Sequence, residues 1–263
     1  MKTWISRSIL FLAMLILVAC QSSQPVREES SSIQGAVESP ADVYTALGVE
    51  YMNRGLYEVA LEKLQKALTV DQYSTNAHNV IAVLYDRLGD QVLAGKHYER
   101  AVALSPANSS AQNNYARYLC GLKKFDLADQ HFNKALKNPL YKSPLLALTN
   151  AGTCAWKAGN LDKAESYFRT ALQRNKHFPA TLLQMAKLKY EQENYLSVRA
   201  YLQRFRDVNK HTAASLWLGI QAEDKLGDQS GVASYTLQLR QLFPDSHEMG
   251  LYEKSKFNRS VQR

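Results

Sequence analysis

Small side chains recur along this chain at a fixed step, and that step limits what the chain can fold into. Ala60, Ala94 and Ala128 stand 34 residues apart, Ala164 follows after 36, and Val198 and Val232 continue at 34. Ala67, Ala101, Ala135, Ala171, Phe205 and Leu239 run in parallel. Bulky residues keep the same step at Leu64, Tyr98, Phe132, Phe168 and Leu202, with Thr236 the weakest member. A chain built from one unit at such a period buries its apolar surface by stacking each unit on the next, not by closing around a single centre.

Each unit carries a further small residue earlier on, at Gly48, Ala82, Ala116, Gly152 and Ala186, with Ile220 in the sixth; Tyr51 and Tyr85 stand three residues beyond the first two. Position by position the unit resembles the tetratricopeptide repeat, in which two antiparallel helices cross where side chains are small and bulky ones fill the gap between hairpins. Gly55, Gly89, Gly159 and Gly227 end the first helix of their units, and Pro106 and Pro244 close the second. The expected fold is all-α, a right-handed superhelix of six helix-turn-helix repeats at 41–74, 75–108, 109–142, 145–178, 179–212 and 213–246. Residues 247–263 read as a C-terminal cap and a basic tail with Lys254, Lys256, Arg259 and Arg263. The last two repeats replace small residues by Val198, Phe205, Val232 and Leu239, which predicts looser or altered stacking there.

Ahead of the repeats, Lys2 and Arg7 precede an apolar run from Ile9 to Val18. A basic start, a short greasy run and then small residues are what the bacterial export machinery reads. The run is too short to span a bilayer, which takes about 20 apolar residues. Its end, Leu17-Val18-Ala19-Cys20, resembles the bacterial lipobox, which implies a signal peptide over 1–19 and lipidation of Cys20. The competing reading is a plain secretory signal with a chance cysteine. Three acyl chains exceed the two signals needed for stable anchoring. Gln21 is not the aspartate associated with inner-membrane retention, so the periplasmic leaflet of the outer membrane is the expected location.

Residues 20–40 hold six serines, two prolines and one glycine without apolar periodicity, and read as a flexible tether from the lipidated cysteine. The whole chain has 32 basic and 24 acidic residues; removing 1–19 takes away Lys2 and Arg7 and leaves a net charge of +6. That modest excess suits acidic partners or lipid headgroups, and export argues against nucleic acid.

No glycine-rich phosphate loop, nucleophile elbow, HExxH or CxxC occurs, so neither catalysis nor a small-molecule substrate or cofactor has sequence support. His97 and His131 share one repeat position, as do His177 and His211, without carboxylates or cysteines at ligand spacing, and no metal site is expected. Cys120 and Cys154 fall in corresponding helices of adjacent repeats. Export permits a disulfide between them, and two small buried thiols used as packing remain the alternative.

The inner wall of such a superhelix is made mainly of first-helix residues, here including Asn79, Val83, Asn113, Arg117, Thr149, Thr153 and Trp156. Asparagines on successive helices can hydrogen-bond an extended peptide, and aromatic side chains offer it apolar pockets. Val49 and Met52 add an apolar patch near the start, while Tyr44 and Tyr51 belong with the repeat core.

The stretch NNYARYLCGLKKFDLADQHFNKALKNPLYKSP, followed by NAGTCAWKAGNLDKAESYFRTAL, is similar to the PilW/PilF family of type IV pilus biogenesis lipoproteins, as is the closing YTLQLRQLFPDSHEM. The chain departs from that pattern at Lys142, where family members often have proline; here Pro144 supplies it. The resemblance implies an outer-membrane lipoprotein acting as a pilotin, which binds the pilus secretin and helps it reach the outer membrane and multimerise. It also implies Cys20 as lipid acceptor and Cys120 with Cys154 as a disulfide. The alternative function is a periplasmic repeat adaptor lipoprotein that scaffolds outer-membrane protein assembly or cell-wall enzymes.

Overall fold

The computed structural model describes residues 39–261. The expected signal peptide, Cys20, the tether up to residue 38 and Arg263 lie outside the described residues. Within them are thirteen α-helices and no strand. Twelve pair as hairpins: α1 (Pro40–Asn53) with α2 (Tyr57–Val70), α3 (Thr75–Leu88) with α4 (Gln91–Leu104), and α5 (Ser109–Gly121) with α6 (Phe125–Lys137). The series continues with α7 (Pro144–Lys157) and α8 (Leu161–Arg174), α9 (Pro179–Glu191) and α10 (Tyr195–Val208), and α11 (Ala213–Lys225) and α12 (Gln229–Leu242). From the second hairpin on, each first helix packs on the second helix of the hairpin before it, and α13 (His247–Val261) packs on α11. This is the all-α superhelical tetratricopeptide fold. No described helix is long and apolar enough to cross a membrane.

Local chemistry sets the helix ends. Pro40, Pro144 and Pro179 occupy the first turn of their helices, where the missing N–H removes no bond. The Ser39, Ser74, Asn108 and Asn160 side chains accept from backbone N–H groups that would otherwise lack partners. Gly55, Gly89, Gly159 and Gly227 turn the chain into the second helix with φ of 74–82°. In the third and fifth hairpins the same left-handed position is taken by Lys123 (φ 60°) and Glu193 (φ 57°), where a side chain costs about 1 kcal/mol relative to glycine.

The repeating alanines are the crossing points: Ala60, Ala94, Ala128, Ala164, Ala67, Ala101, Ala135 and Ala171 have no exposed surface, and Leu64, Tyr98, Phe132, Phe168 and Leu202 are buried beside them. Gly152 shows how close the helices run, since a methyl group there would sit 2.5 Å from the Phe168 ring. Of the looser or altered stacking expected of the last two repeats, the sixth hairpin shows the altered form, and Val232 there is only half-buried. Val198, Phe205 and Leu239 are all buried. The sixth hairpin keeps its close crossing by moving both partners one residue earlier: Gly219 replaces Ile220 as the small residue, and the Tyr235 ring, 2.8 Å from a Cβ placed there, replaces Thr236. Ile220 is thereby free to pack with Leu239 and Met249 under α13.

Candidate functional site

The first helices leave one face uncovered, and most of the residues expected to meet a partner border it. Arg117 and Val49 are exposed, and Asn79, Val83, Thr153 and Trp156 are half-buried. Three are not available. Met52 is 5 % exposed and packs with Ala60, Leu64, Ile81 and Leu84, because its position falls between the first two hairpins. Asn113 is 3 % exposed, and Thr149, also buried, hydrogen-bonds Leu145 O at 2.7 Å and the Thr181 hydroxyl at 2.5 Å. These two are polar stitches between hairpins, since a buried polar group must find a partner inside the protein.

The stitching forms a directed row of amides. Asn150 Nδ2 donates to Asn113 Oδ1 at 3.1 Å, Asn113 Nδ2 to Asn114 Oδ1 at 3.3 Å, and Asn114 Nδ2 to Asn79 Oδ1 at 3.1 Å. The row ties α3, α5 and α7 together. Asn114 and Asn150 are members that the sequence reading did not single out, although each stands beside a residue that it did. Further along, Trp156 Nε1 donates to Glu191 Oε2 at 2.6 Å and ties α7 to α9.

A second open surface lies at the start of the solenoid. Val43 and Leu47, one helical turn apart on α1, are 44 % and 39 % exposed. The positions equivalent to Val43 are Ala77, Ala111, Ala147, Thr181 and Ser215, and those equivalent to Leu47 are Ile81, Tyr115, Ala151, Met185 and Gly219; all ten are buried. The first hairpin therefore presents to solvent the face that each later hairpin presses against its predecessor. The signal was in the sequence, because a first repeat has no predecessor to cover it.

Between hairpins the contacts change character along the chain. Cys120 and Cys154 are joined by a disulfide from α5 to α7, with Cα atoms 5.8 Å apart. Beyond it, two ion pairs, each with one buried partner, take over. Lys189 Nζ on α9 meets Glu165 Oε2 on α8 at 2.7 Å; burial alone would raise the Glu165 pKa, but hydrogen bonds from Lys189, Arg169 and Gln192 outweigh it and hold it at about 2. Arg199 on α10 is paired with Glu223 on α11 and with Asp228, the latter at 3.0 Å. Glu165 and Arg199 occupy one repeat position, and Lys189 and Glu223 another, so the two junctions use the same pair of positions with the signs exchanged. At the junction before them the corresponding residues are Asp129 and Ala155, and a cavity of about 80 Å³ lies there, lined also by Cys154, Phe132 and Lys163.

Four of the histidines serve packing. His78 Nε2 lies 3.1 Å from the Gln72 carbonyl, which makes it a donor and leaves His78 Nδ1 to accept from His97 Nδ1 at 3.0 Å. His131 Nδ1 pairs with Gln112 Oε1 at 2.5 Å and His211 Nδ1 with Ser215 Oγ at 3.0 Å. Burial pushes all four of these imidazoles below their ordinary pKa. Among the described residues no three potential ligands converge on a metal position.

Comparison with known proteins places this geometry. A tetratricopeptide-repeat family profile matches residues 45–109 and 111–177. The type IV pilus assembly protein PilF of Pseudomonas aeruginosa is 30 % identical over 95 % of this chain and 98 % of its own length. The solved Pseudomonas aeruginosa PilF structure superposes with a TM-score of 0.71 at 32 % identity, covering 82 % of this chain and 97 % of that one. The structure of PilW, described as a widely conserved type IV pilus biogenesis factor, gives 0.75 at 28 % identity, covering 81 % and 97 %.

Proposed function

Because this chain belongs to the PilF/PilW family of tetratricopeptide-repeat type IV pilus assembly factors, we propose that it is an outer-membrane lipoprotein that acts as a pilotin for the pilus secretin. In this reading Cys20 carries the lipid, the segment up to residue 38 is the tether, and the repeats bind the secretin subunit. Linking anchor and binding surface raises the effective concentration of subunits at the membrane without any new contact.

The observation that carries the binding step is the uncovered outer face of α1. Val43 and Leu47 are apolar at positions that are buried in every later repeat, so this face is already shaped to receive a helix. An exposed apolar patch backed by a rigid stack orders few side chains on binding.

The test is genetic and biochemical together. Deleting the gene is expected to abolish secretin multimers while monomers persist, and Cys20→Ser to shift the protein out of the membrane fraction. A Val43→Asp/Leu47→Asp variant with an unchanged helical circular dichroism spectrum is expected to fractionate normally yet fail to restore multimers. Normal multimers and twitching in the deletion strain would overturn the pilotin reading and leave a periplasmic adaptor in its place.

A further inference from the structure

The first helices run side by side in the same direction, so every loop that leads from one hairpin to the next lies along one edge of the stack. Asn76 Nδ2 donates to Asp42 Oδ1 and Asn108 Nδ2 to Asn76 Oδ1, both at 3.5 Å, which sets the starts of α1, α3 and α5 next to one another. Asn108 and Ser110 line one shallow recess with Leu140 and Tyr141, so the loop before α7 lies against the start of α5. Arg204 on α10 donates to the Lys176 carbonyl at 2.8 Å and holds the loop that follows.

This edge is basic over three successive loops. Lys142, Lys176 and Lys210 stand 34 residues apart in the loops 138–143, 175–178 and 209–212, all three are exposed, and no acidic residue shares those loops. Among the described residues none of the three takes part in an ion pair. Asp71 and Asp245, in the first and last loops of the edge, bound the basic stretch. The turns at the opposite edge have no common sign, with Lys123 and Lys124 in one and Glu193 and Asp228 in later ones.

Beside the first of these lysines stands Leu140, at 85 % the most exposed large apolar side chain among the described residues. It occupies the stretch lengthened by two residues, where the step from Ala128 to Ala164 is 36 rather than 34. Its N–H donates to Asn138 Oδ1 at 2.9 Å, so a defined turn presents the leucine to solvent. A leucine between Lys137 and Lys142 suits a bilayer interface, where the apolar side chain enters the acyl boundary and the ammonium groups stay among the phosphates.

The chain that precedes the described residues enters at this same edge, through Ser39 and Pro40 at the start of α1. Residues 21–38 span about 60 Å at full extension and roughly 23 Å as a flexible coil, against a Debye length of about 8 Å. A tether of that length brings the edge near a membrane, but the lysines feel headgroup charge only when the edge itself docks.

We propose that the loop edge from 138 to 212 is a second membrane contact: Lys142, Lys176 and Lys210 meet the phosphates of an anionic phospholipid surface, and Leu140 inserts beside them. Docked this way, the first helices rise from the surface and the open face of α1 looks along the membrane plane. The proposal rests on the lipoprotein reading only for the place where the tether is held.

Two measurements test it. The chain from Gln21 onward has no lipid and keeps all thirteen helices; it is floated with phosphatidylcholine vesicles made with or without phosphatidylglycerol. It is expected to bind the anionic vesicles at least about tenfold tighter, since each basic residue near such a surface contributes roughly fivefold, and to be released as salt rises. Lys142→Gln/Lys176→Gln/Lys210→Gln is expected to lose the preference and Leu140→Ser to bind the anionic vesicles more weakly, both with an unchanged circular dichroism spectrum. The second measurement uses the full chain held in anionic vesicles by its own anchor, with a fluorophore on Ser143→Cys or Ala158→Cys and spin-labelled lipid as quencher. Both positions are exposed, and they flank α7 about 22 Å apart. The Ser143 site is expected to be quenched at least about threefold more than the Ala158 site. A chain that takes label at Cys20 and stays off neutral vesicles counts against the lipid anchor alone, and the first measurement then decides the proposal. Equal binding to the two kinds of vesicle, an unchanged triple variant, equal quenching at the two ends of α7, or release by inorganic phosphate beyond that by sodium chloride at matched ionic strength would overturn it.

Discussion

The stack is held together differently in its two halves. Up to the fourth hairpin the junctions rest on small residues, a row of amides, the Cys120–Cys154 bridge and a more exposed Lys163–Asp129 pair, whereas the last two junctions each close on an ion pair with one buried partner. Apolar and amide contacts say little about which hairpin belongs next to which. Charges do. Lys189 meets Glu165 and Arg199 meets Glu223, so stacking the sixth hairpin directly on the fourth would set Glu223 against Glu165. The exchanged signs select the order of the repeats by penalising the wrong neighbour.

The comparison breaks most sharply at Lys189. Lys189→Glu places a second negative charge against Glu165 and is expected to cost about 4 kcal/mol in urea unfolding. Exchanging the pair, Lys189→Glu with Glu165→Lys, should recover more than half of that, because the next junction already works with that polarity. The pair also has an acid signature. The Glu165 pKa is depressed from its ordinary 4.5 to about 2, so its contribution is fully present above pH 4.5 and is lost as pH falls towards 2. An acid midpoint for the second half that Lys189→Met leaves unmoved would contradict this.

The bridge is next. It closes a loop with a sequence separation of 34, worth roughly 4 kcal/mol in the chain-entropy account. Cys120→Ser/Cys154→Ser should lower the unfolding free energy by about that much, and titration of the unreduced, denatured parent should find no thiol at either cysteine. In the bridgeless variant, Ala155→Lys would extend into the cavity beside Asp129 and copy the later junctions, restoring about 1 kcal/mol. No recovery would mean that the cavity is not the counterpart of the Lys189 site.

The smallest effect concerns the turns. Lys123→Gly and Glu193→Gly should each stabilise by about 0.5–1 kcal/mol, and Gly89→Lys should destabilise by a similar amount, read from denaturant midpoints.

These turns also mark how far the sequence can be read. The period made the hairpins and their alanine crossings legible, because the small residues stand at every repeat. Lys123 and Glu193 hide the same backbone turn, since the usual sign of it is glycine and neither supplies one. The sixth hairpin hides its crossing for another reason: Gly219 and Tyr235 satisfy the same packing one residue out of register, and a fixed alignment finds only Ile220 and Thr236. Asn79 and Arg117 were legible as members of the open face. Asn113 and Thr149 were not legible as stitches, since a polar residue facing solvent and one facing its counterpart in the next hairpin look alike in one dimension. Val43 and Leu47 were passed over because apolar residues at these positions are ordinary in every repeat except one without a predecessor.

That missing predecessor gives α13 a consequence. A stack with an open apolar face at its start and an equivalent free surface at its end would join molecule to molecule head to tail, and nothing in such a contact limits growth into a filament. By covering α11 with Met249 and Tyr252, α13 removes one half of that match. On the proposed reading, the open end stays uncovered for the partner while its match on another copy of the chain is covered.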